Sequence, residues 1–443
     1  MTTTRPARIL FACPQTLFDV SNGASLLCYS MMQELARRGL QVASIGGGIF
    51  DNPSGVARIP NLAEQIAENK DKKLLVNKDY SAGGEIPMTH WFFTGFHSTS
   101  WNEITYDESN AFLNEYTQIL RTYKPDLVIG YGCDPLCRSM WMEARLFKIP
   151  TVYVVVNGNH HHYRFPLHDL VITDSRSTAE LYKRTEGLTV TPVGIFINPD
   201  IVVAKARNPQ TVTFINPAFA KGVAVVARLI LMANKERPDI PFMVVESRQK
   251  LADALKALRK PGGEIGSAFT NQTFHNIALH PATFNISEIY ATTKVLLAPS
   301  LWYESWGRVA TEATMNGIPV LGSRNGGIPE AIGPGGITLD TPEELGTIDE
   351  SDKWLTLPSE ESCRPWADAL YDLYDHSEEW AGKCREAADA NSLKASGDRL
   401  MAALAPLLER RAGDADFSRM GSIIYEGDPK DWETTSKAAA TVK

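Results

Sequence analysis

Short runs of consecutive apolar residues alternate along this chain with stretches in which apolar residues recur every three or four positions. The first pattern is typical of strands buried on both faces of a parallel sheet, and the second is typical of amphipathic helices. In the first part of the chain the predicted strands are 9–13, 42–45, 127–129, 151–156 and 170–173, and helices are predicted at 24–37 and 108–121. The pattern therefore predicts an α/β fold built around a parallel sheet.

The same alternation starts again after a break. Apolar periodicity lapses between residues 192 and 209, where Pro, Gly and Asn accumulate and predict a linker. Further strands are predicted at 212–215, 242–245, 277–280, 294–298 and 319–321, with a helix starting at Gly222. Two successive doubly wound domains leave a cleft at the carboxyl ends of their strands, where ligands bind in such folds.

These patterns give predicted domain limits. An N-terminal domain is expected over residues 1–205, a C-terminal domain over 206–400, and a helix with a polar tail over 401–443. Residues 51–106 carry no clear period and are predicted to be irregular, whereas residues 360–411 are predicted to be helical. The length agrees with two domains, because 443 residues exceed the roughly 250 to 300 at which a single core stops growing.

The amino-acid composition and net charge exclude some classes of protein. With 44% hydrophobic and 22% charged residues, the chain is predicted to be globular rather than disordered. Its formal charge is −8 and neither half is basic, which excludes nucleic acid as an expected partner. Because no apolar run approaches the roughly 18 residues of a membrane span, we expect a cytoplasmic protein or one held peripherally at a membrane. The six cysteines are then expected to be reduced and mostly buried thiols.

The candidate chemistry is concentrated in residues 296–332, LLAPSLWYESWGRVATEATMNGIPVLGSRNGGIPEAI. Glu304 lies in the loop after a predicted strand, and Glu312 lies roughly 7.5 Å along a helix that starts near Gly307. Since helix N-termini bind phosphate, Glu312 is placed to accept hydrogen bonds from a ribose diol, with Glu304 facing the group beyond the phosphates. Alternatively, both glutamates are solvated or capping residues. The surrounding glycines, which let backbone approach a ligand, favour a nucleotide-sugar site.

This segment resembles the E-x7-E signature of the retaining GT-B glycosyltransferases conventionally called family four. Upstream, residues 214–222 are similar to the strand, loop and Lys-Gly element with which that family binds the donor diphosphate. The resemblance implies GT-B architecture, with two Rossmann-like domains facing each other across a cleft. It also implies transfer of a sugar from a nucleotide diphosphate sugar with retention at the anomeric carbon. UDP is the expected nucleotide because it is the commonest donor nucleotide in the family.

The same resemblance assigns donor-binding residues. Lys221 is the expected diphosphate cation. Many members carry an additional arginine after this strand, where the present chain has Asn216-Pro217, so Arg308 or Arg248 is expected to supply that charge. The loop 19–23 resembles the family's glycine loop, and 279–283 resembles the loop whose backbone reads the nucleobase. The implied donor-binding set is Gly23, Lys221, Ala282, Ser305, Trp306, Gly307, Arg308, Val309 and Glu312.

Near the reacting centre the chain departs from the family pattern. Many relatives place a histidine directly after the strand predicted here at 151–156, whereas this chain has Asn157, with His160 three residues later. Asn157 or His160 is expected to contact the donor sugar, and Glu304 is expected to orient its hydroxyls. By analogy with the family, the departing phosphate takes the acceptor proton. Neither a metal nor a cofactor is expected, because amide and ammonium groups take the place of a metal at the diphosphate. The consecutive histidines at 160–162 do not easily converge on one ion.

Several interpretations stay open. A nucleotide-sugar 2-epimerase shares the architecture, a phosphorylase would need pyridoxal phosphate and a longer chain, and a non-catalytic nucleotide-sugar-binding or partner subunit would explain the missing histidine. The acceptor is unidentified and could be a saccharide, a lipid-linked glycan, a peptide or a small molecule. Residues 90–101, HWFFTGFHSTSW, predict either an aromatic platform for the acceptor or a strand with its packing, and the second is favoured.

Overall fold

The computed structural model describes residues 5–59, 61–79, 87–97, 100–158, 168–247, 249–269 and 276–409. The strands in these residues are β1 (Arg8–Gln15), β2 (Gln41–Gly47), β3 (Leu74–Asp79), β4 (Met88–Phe93), β5 (Leu127–Gly130), β6 (Thr151–Val155), β7 (Leu170–Thr173), β8 (Thr191–Pro192), β9 (Thr211–Ile215), β10 (Phe242–Val245), β11 (Ile277–His280), β12 (Thr293–Ala298), β13 (Val320–Ser323) and β14 (Gly336–Leu339). The helices are α1 (Gly23–Arg37), α2 (Leu62–Glu68), α3 (Tyr106–Tyr123), α4 (Pro135–Leu146), α5 (Arg176–Glu186), α6 (Pro199–Val202), α7 (Val223–Glu236), α8 (Leu251–Ala257), α9 (Ile286–Thr292), α10 (Arg308–Met315), α11 (Ile328–Ile332), α12 (Arg364–Asp375), α13 (Ala381–Ala390) and α14 (Leu393–Glu409). Short 3₁₀ turns lie at Pro53–Arg58, Trp101–Glu103, Phe219–Lys221, Glu343–Leu345, Ile348–Leu355 and Ser377–Trp380.

The predicted α/β class is confirmed, with two Rossmann-like sheets. Each strand predicted from an apolar run is present, and β7, β10 and β11 have the predicted limits. The two predicted helices of the first part are α1 and α3, and the predicted C-terminal helical stretch contains α12, α13 and α14. Continuous apolar runs were therefore a reliable sign of strands covered on both faces.

The first sheet has eight strands in the order β3-β4-β2-β1-β5-β6-β7-β8. The central strand β1 runs parallel to β2 and β5, with Ile9 opposite Val42 on one side and Leu127 on the other. Residues 9–13 of β1 are fully buried. Burial on both faces explains why this strand carries no alternation of polar and apolar residues.

Residues 51–106 are not irregular, and the structure corrects that prediction. They contain α2, β3 and β4, and β3 pairs antiparallel with β4, with Leu74 opposite Phe93. In β3 only Leu75 is buried. Because β3 is an edge strand, polar side chains such as Asn77 and Lys78 are tolerated there and hide the strand in the sequence.

The aromatic segment that follows belongs mainly to the core. Phe92, Phe93 and Phe96 are 2%, 0% and 9% exposed. The rings of Phe96 and Phe112 stack with their centroids 5.2 Å apart, and Phe93 meets both edge-on. For these three phenylalanines the packing interpretation is confirmed and the acceptor platform is wrong. Trp101 is only partly buried.

The second sheet has six strands in the order β11-β10-β9-β12-β13-β14, and every neighbouring pair is parallel. At its centre Phe214 of β9 lies opposite Val244 of β10 and Leu297 of β12. The helix α7 packs on this sheet through an almost continuously buried run that begins at Val223. Since β9 and β12 are parallel neighbours, the loops that follow them leave the sheet at the same edge.

The described residues form two compact units. The first contains residues up to 154 together with 168–171 and 402–409, and the second contains 155–158 and 172–401. The predicted domain limits of 1–205, 206–400 and 401–443 are drawn differently from these units. The difference arises because the residues after β6, and the chain from 172 onward, pack with the second unit.

Two smaller expectations concern cysteines and membrane spans. All six cysteines lie in the described residues and form no disulfide. Five are buried, as expected, whereas Cys133 is exposed. Across the part of the chain that the structure describes, each helix is too short or too polar to cross a bilayer.

Candidate functional site

The loops after β9 and β12 meet through an ion pair. Lys221, at the end of a 3₁₀ turn, bonds through Nζ to Oε1 of Glu304. The hydroxyl of Ser300 donates to the same carboxylate oxygen at 2.9 Å. The side chains of Lys221 and Glu304 are 36% and 17% exposed. The glutamate is therefore fixed by two donors, while part of the ammonium group stays accessible.

Backbone contacts hold these two loops together. Gly222 has a φ of +85°, and a Cβ atom at this position would collide with the carbonyl oxygen of Pro299. The amides of Leu301 and Trp302 both donate to the carbonyl oxygen of Ala220, at 2.9 and 3.0 Å. Glycine is required at 222 for its backbone angle and for this close approach. The position of Lys221 thus depends directly on the backbone of the Glu304 loop.

Helix α10 begins four residues after Glu304, at Arg308. Its N-cap is Gly307, with a φ of +100°, no side chain caps this end, and the first turn holds no acidic residue. The predictions that this helix starts near Gly307 and contains Glu312 are confirmed. The amides of Arg308 and Val309 lie in its first turn, where the helix dipole favours a negatively charged ligand.

Glu312 is 5% exposed and bonds to two side chains. Its Oε2 accepts from the Tyr290 hydroxyl at 2.8 Å, and its Oε1 accepts from Nε of Arg308 at 2.6 Å. A carboxylate has about four acceptor positions, so each oxygen retains capacity for a ligand hydroxyl. Arg308, expected to supply charge to a diphosphate, is ion-paired with Glu312 through Nε. Its contact with a diphosphate stays a prediction.

Ser305 and Trp306 direct their polar atoms into the protein. The hydroxyl of Ser305 lies 2.9 Å from both the Val156 carbonyl oxygen and Oδ2 of Asp174. The indole N–H of Trp306 donates to the Thr311 hydroxyl at 2.8 Å, and Trp306 is 5% exposed. These two side chains hold the loop in place, so a donor contact at 305 or 306 would come from the backbone.

The structure brings the loop containing Asn157 against the loop containing Glu304. On one side of Asn157, the Val156 carbonyl accepts the hydrogen bond from Ser305. On the other side, a Cβ atom at Gly158 would lie 2.8 Å from the ring of Tyr303. Residues flanking Asn157 thus contact residues flanking Glu304. His160 lies outside the described residues.

The other predicted donor residues are placed as follows. Gly23 is the first residue of α1 in the first unit, where the Asn22 side chain already accepts from the amides of Ala24 and Ser25. Ala282 is exposed in the loop after β11. Arg248, the alternative diphosphate cation, lies outside the described residues.

Two adjacent glycines, Gly326 and Gly327, pack against the Glu304 loop. Side chains at Gly326 and Gly327 would collide with the backbone of Glu304 and Ser305. The amide of Gly327 also donates to the Glu304 carbonyl oxygen at 2.8 Å. These two glycines therefore let the backbone after β13 pack directly against the Glu304 loop.

Three residues of this site were not predicted from the sequence. Ser300 bonds Glu304, Tyr290 bonds Glu312, and Asp174 bonds Ser305. Tyr290 resembles a core residue in the sequence, and only the need of a buried phenol for a partner signals its role. Asp174 had a clearer signal, because it directly follows the predicted strand 170–173 at the edge where functional residues gather.

Asp174 has an unusual protonation equilibrium. It is 5% exposed, and burial raises the pKa of its carboxyl from 3.8 to about 7 against the opposing hydrogen bonds from Ser305 and Thr173. Burial disfavours the charged carboxylate. Near neutral pH this acid therefore exists in both protonation states.

No group of three His, Cys, Asp or Glu side chains is arranged to hold a metal ion within the described residues. The histidines at 160–162 lie outside them.

We expect Asp174→Asn to make stability less dependent on pH. Between pH 4 and 7 the unfolded chain loses the Asp174 proton and the folded chain keeps it, so stability falls as pH rises. The slope is up to about 1.4 kcal/mol per pH unit for one proton. Asparagine still accepts from Ser305 but does not titrate. Urea unfolding of both proteins at several pH values measures their free energies of unfolding. Relative to the wild type, the variant should become more stable as pH rises to 7. A stability difference that does not change with pH would contradict the burial argument.

Part of this chain is similar in sequence to known glycosyltransferases. Residues 272–369 match the family model "Glycosyl transferases group 1", and this segment contains Glu304, α10 and Glu312. The D-inositol 3-phosphate glycosyltransferase of Corynebacterium aurimucosum is 27% identical over 172 residues. That match covers 36% of this chain and 36% of the curated relative, so it spans about a third of each protein.

Solved structures resemble nearly the whole chain. A glycosyltransferase from Rickettsia africae has a TM-score of 0.62 at 12% identity, covering 92% of this chain and 100% of that chain. The pneumococcal O-GlcNAc transferase GtfA, solved with UDP and GlcNAc, has a TM-score of 0.62 at 14% identity, covering 91% and 100%. At these identities the likeness shows the fold. The fold is GT-B, and together with the group 1 domain it supports a glycosyltransferase.

Proposed function

We propose that this protein is a retaining glycosyltransferase of the E-x7-E group, which moves a sugar from a UDP-sugar to an acceptor. The observation that carries the proposal is the meeting of Lys221 and Glu304 immediately before the N-terminus of α10. An ammonium group and helix amides without a side-chain cap suit a diphosphate, and a carboxylate beside them suits sugar hydroxyls.

In this proposal the donor lies along the loops after β9 and β12 and the first turns of α10. Lys221 and the first amides of α10 bind the diphosphate, Glu312 accepts hydrogen bonds from the ribose, and the loop holding Ala282 contacts the base. The site already places Glu312 inside α10, one to two turns from Gly307. UDP is preferred as the family's commonest donor nucleotide, and the pneumococcal relative was solved with UDP bound.

The transfer step breaks the bond between the anomeric carbon and the phosphate oxygen. The bond to the acceptor oxygen forms on the same face, and the acceptor proton passes to the departing phosphate. Lys221 and the α10 amides stabilise the negative charge of the leaving diphosphate. Glu304 orients the sugar hydroxyls, with Asn157 or His160 as a further polar contact. In this scheme neither a metal nor a cofactor is required, and the protein acts in the cytoplasm or at a membrane surface.

A non-catalytic nucleotide-sugar-binding subunit is the second candidate. It is favoured by one observation, which is that Asn157 stands where many relatives carry histidine. Release of UDP from UDP-sugars in the presence of candidate acceptors separates this candidate from the enzyme. Binding of the UDP-sugar without any release of UDP would favour the subunit.

Lys221→Ala should weaken binding of UDP about 10- to 100-fold, because a charge-assisted hydrogen bond contributes about 1.5 to 3 kcal/mol. UMP should lose much less, since its single phosphate does not reach the proposed contact. Titration calorimetry with both nucleotides measures the difference. Lys256→Ala serves as the matched control, because the Lys256 side chain is 80% exposed on α8.

Equal losses of UDP and UMP affinity would point to a damaged fold instead of a lost diphosphate contact. Thermal unfolding of Lys221→Ala and of the control distinguishes these outcomes.

Glu304→Gln should slow sugar transfer while the product keeps the anomeric configuration of the donor. The reason is that Glu304 orients the sugar and does not attack it, so its loss changes the rate and not the face of attack. Proton NMR of the product made by wild type and variant measures the configuration. An inverted anomeric centre in the wild-type product would refute the retaining mechanism.

A further inference from the structure

A cavity of about 610 Å³ lies in the second unit beside the loop that follows Glu304, and Lys221, Glu304 and Glu312 are not among its lining residues. It is bounded by the start of α5, by β8 and by residues of α11, α13 and α14. Its volume falls within the range of about 300 to 1,000 Å³ that is usual for small-molecule sites. Trp306 of the predicted donor-binding set and Asp174 line this space, but the proposed transfer reaction gives neither side chain a contact with the donor.

Two arginines line the cavity. The side chain of Arg176 is 76% exposed, and within the described structure only its Nε is engaged, by Glu330. Arg399 is also exposed, and its hydrogen-bond partners are neutral: the Val193 carbonyl at 3.0 Å, the Ala390 carbonyl, and the Ser396 hydroxyl at 3.0 Å. Arg399 forms no ion pair within the described residues.

These two positive charges influence each other. Burial is the main cause that lowers the pKa of Arg399, and the charge of Arg176 lowers it further. The charge of Asp398 acts in the opposite direction. Gly194, with a φ of +90°, leaves the space that the Arg399 guanidinium occupies, because a Cβ atom there would collide with it. The fold thus holds the Arg399 guanidinium in place beside a second one, without a direct ion pair among the described residues.

Two carboxyl groups line the cavity, and one of them, Glu330, pairs with Arg176. Glu330 accepts from the backbone amides of Arg176 and Ser177, at 3.0 and 2.6 Å, and so caps the start of α5. Asp174 accepts from Ser305, and burial raises the pKa of its carboxyl to about 7. Neither group lies where it balances Arg399.

We propose that this cavity binds a small ligand through an oxyanion, a carboxylate or a phosphate, held between Arg176 and Arg399. Guanidinium groups present planar, paired N–H donors that match both kinds of oxyanion. The remaining walls are apolar and rigid, with Pro192, Pro329 and Trp306 among them. The ligand therefore carries its charge on a compact apolar body.

Titration calorimetry of the full chain with phenyl phosphate and with benzoate tests this site. Each probe joins an oxyanion to a flat apolar ring, and the pair distinguishes a phosphate ligand from a carboxylate ligand. At least one probe should bind, and Arg176→Ala should weaken it about tenfold or more. Arg184→Ala is the matched control, because Arg184 is exposed on the same helix but does not line the cavity.

The same titration in the Lys221→Ala variant separates this cavity from the donor site. Retained binding in Lys221→Ala together with loss in Arg176→Ala supports the proposal. Binding that disappears with Lys221, binding unchanged by Arg176→Ala, or no binding of either probe would overturn it. Thermal unfolding confirms that each variant is folded, since the exposed Arg176 side chain contributes little to the core.

Discussion

The ion pair between Lys221 and Glu304 depends on one constraint, the parallel pairing of β9 with β12. Parallel neighbours send their following loops from the same edge of the sheet, so a cation after one strand meets a carboxylate after the other. Gly222 permits the close approach, and the Ala220 carbonyl joins the two backbones. If either loop moved away, a half-buried carboxylate would lose its counter-ion, which is costly.

The two glutamates of the site share one pattern of partners. Glu304 has Lys221 and the hydroxyl of Ser300, whereas Glu312 has Arg308 and the hydroxyl of Tyr290. Each carboxylate thus has one cation and one neutral donor. The charges of these side chains balance before any ligand binds. The remaining attraction for an anion comes from the amides at the start of α10, which carry no opposing side chain.

Much of the fold and part of the site could be predicted from the sequence. Strands such as β10 were predictable because burial on both faces makes them apolar throughout, whereas β3 escaped because an edge strand tolerates polar residues. The positions of Gly307 and Glu312 followed from helix geometry. The pairing of Arg308 with Glu312 was not predicted, although side chains four apart on a helix are neighbours. The bond from Tyr290 could not be predicted, because it comes from a different helix.

A crystal structure of the protein with intact UDP-glucose tests the central claim most directly. The distances from Lys221 Nζ and the first amides of α10 to the diphosphate, and from Glu312 to the ribose, are the decisive quantities. Hydrogen-bonding distances at all three contacts, with Glu304 facing the sugar, are the predicted result. A nucleotide bound elsewhere, or one whose phosphates do not contact Lys221 or α10, would contradict the assignment of this site.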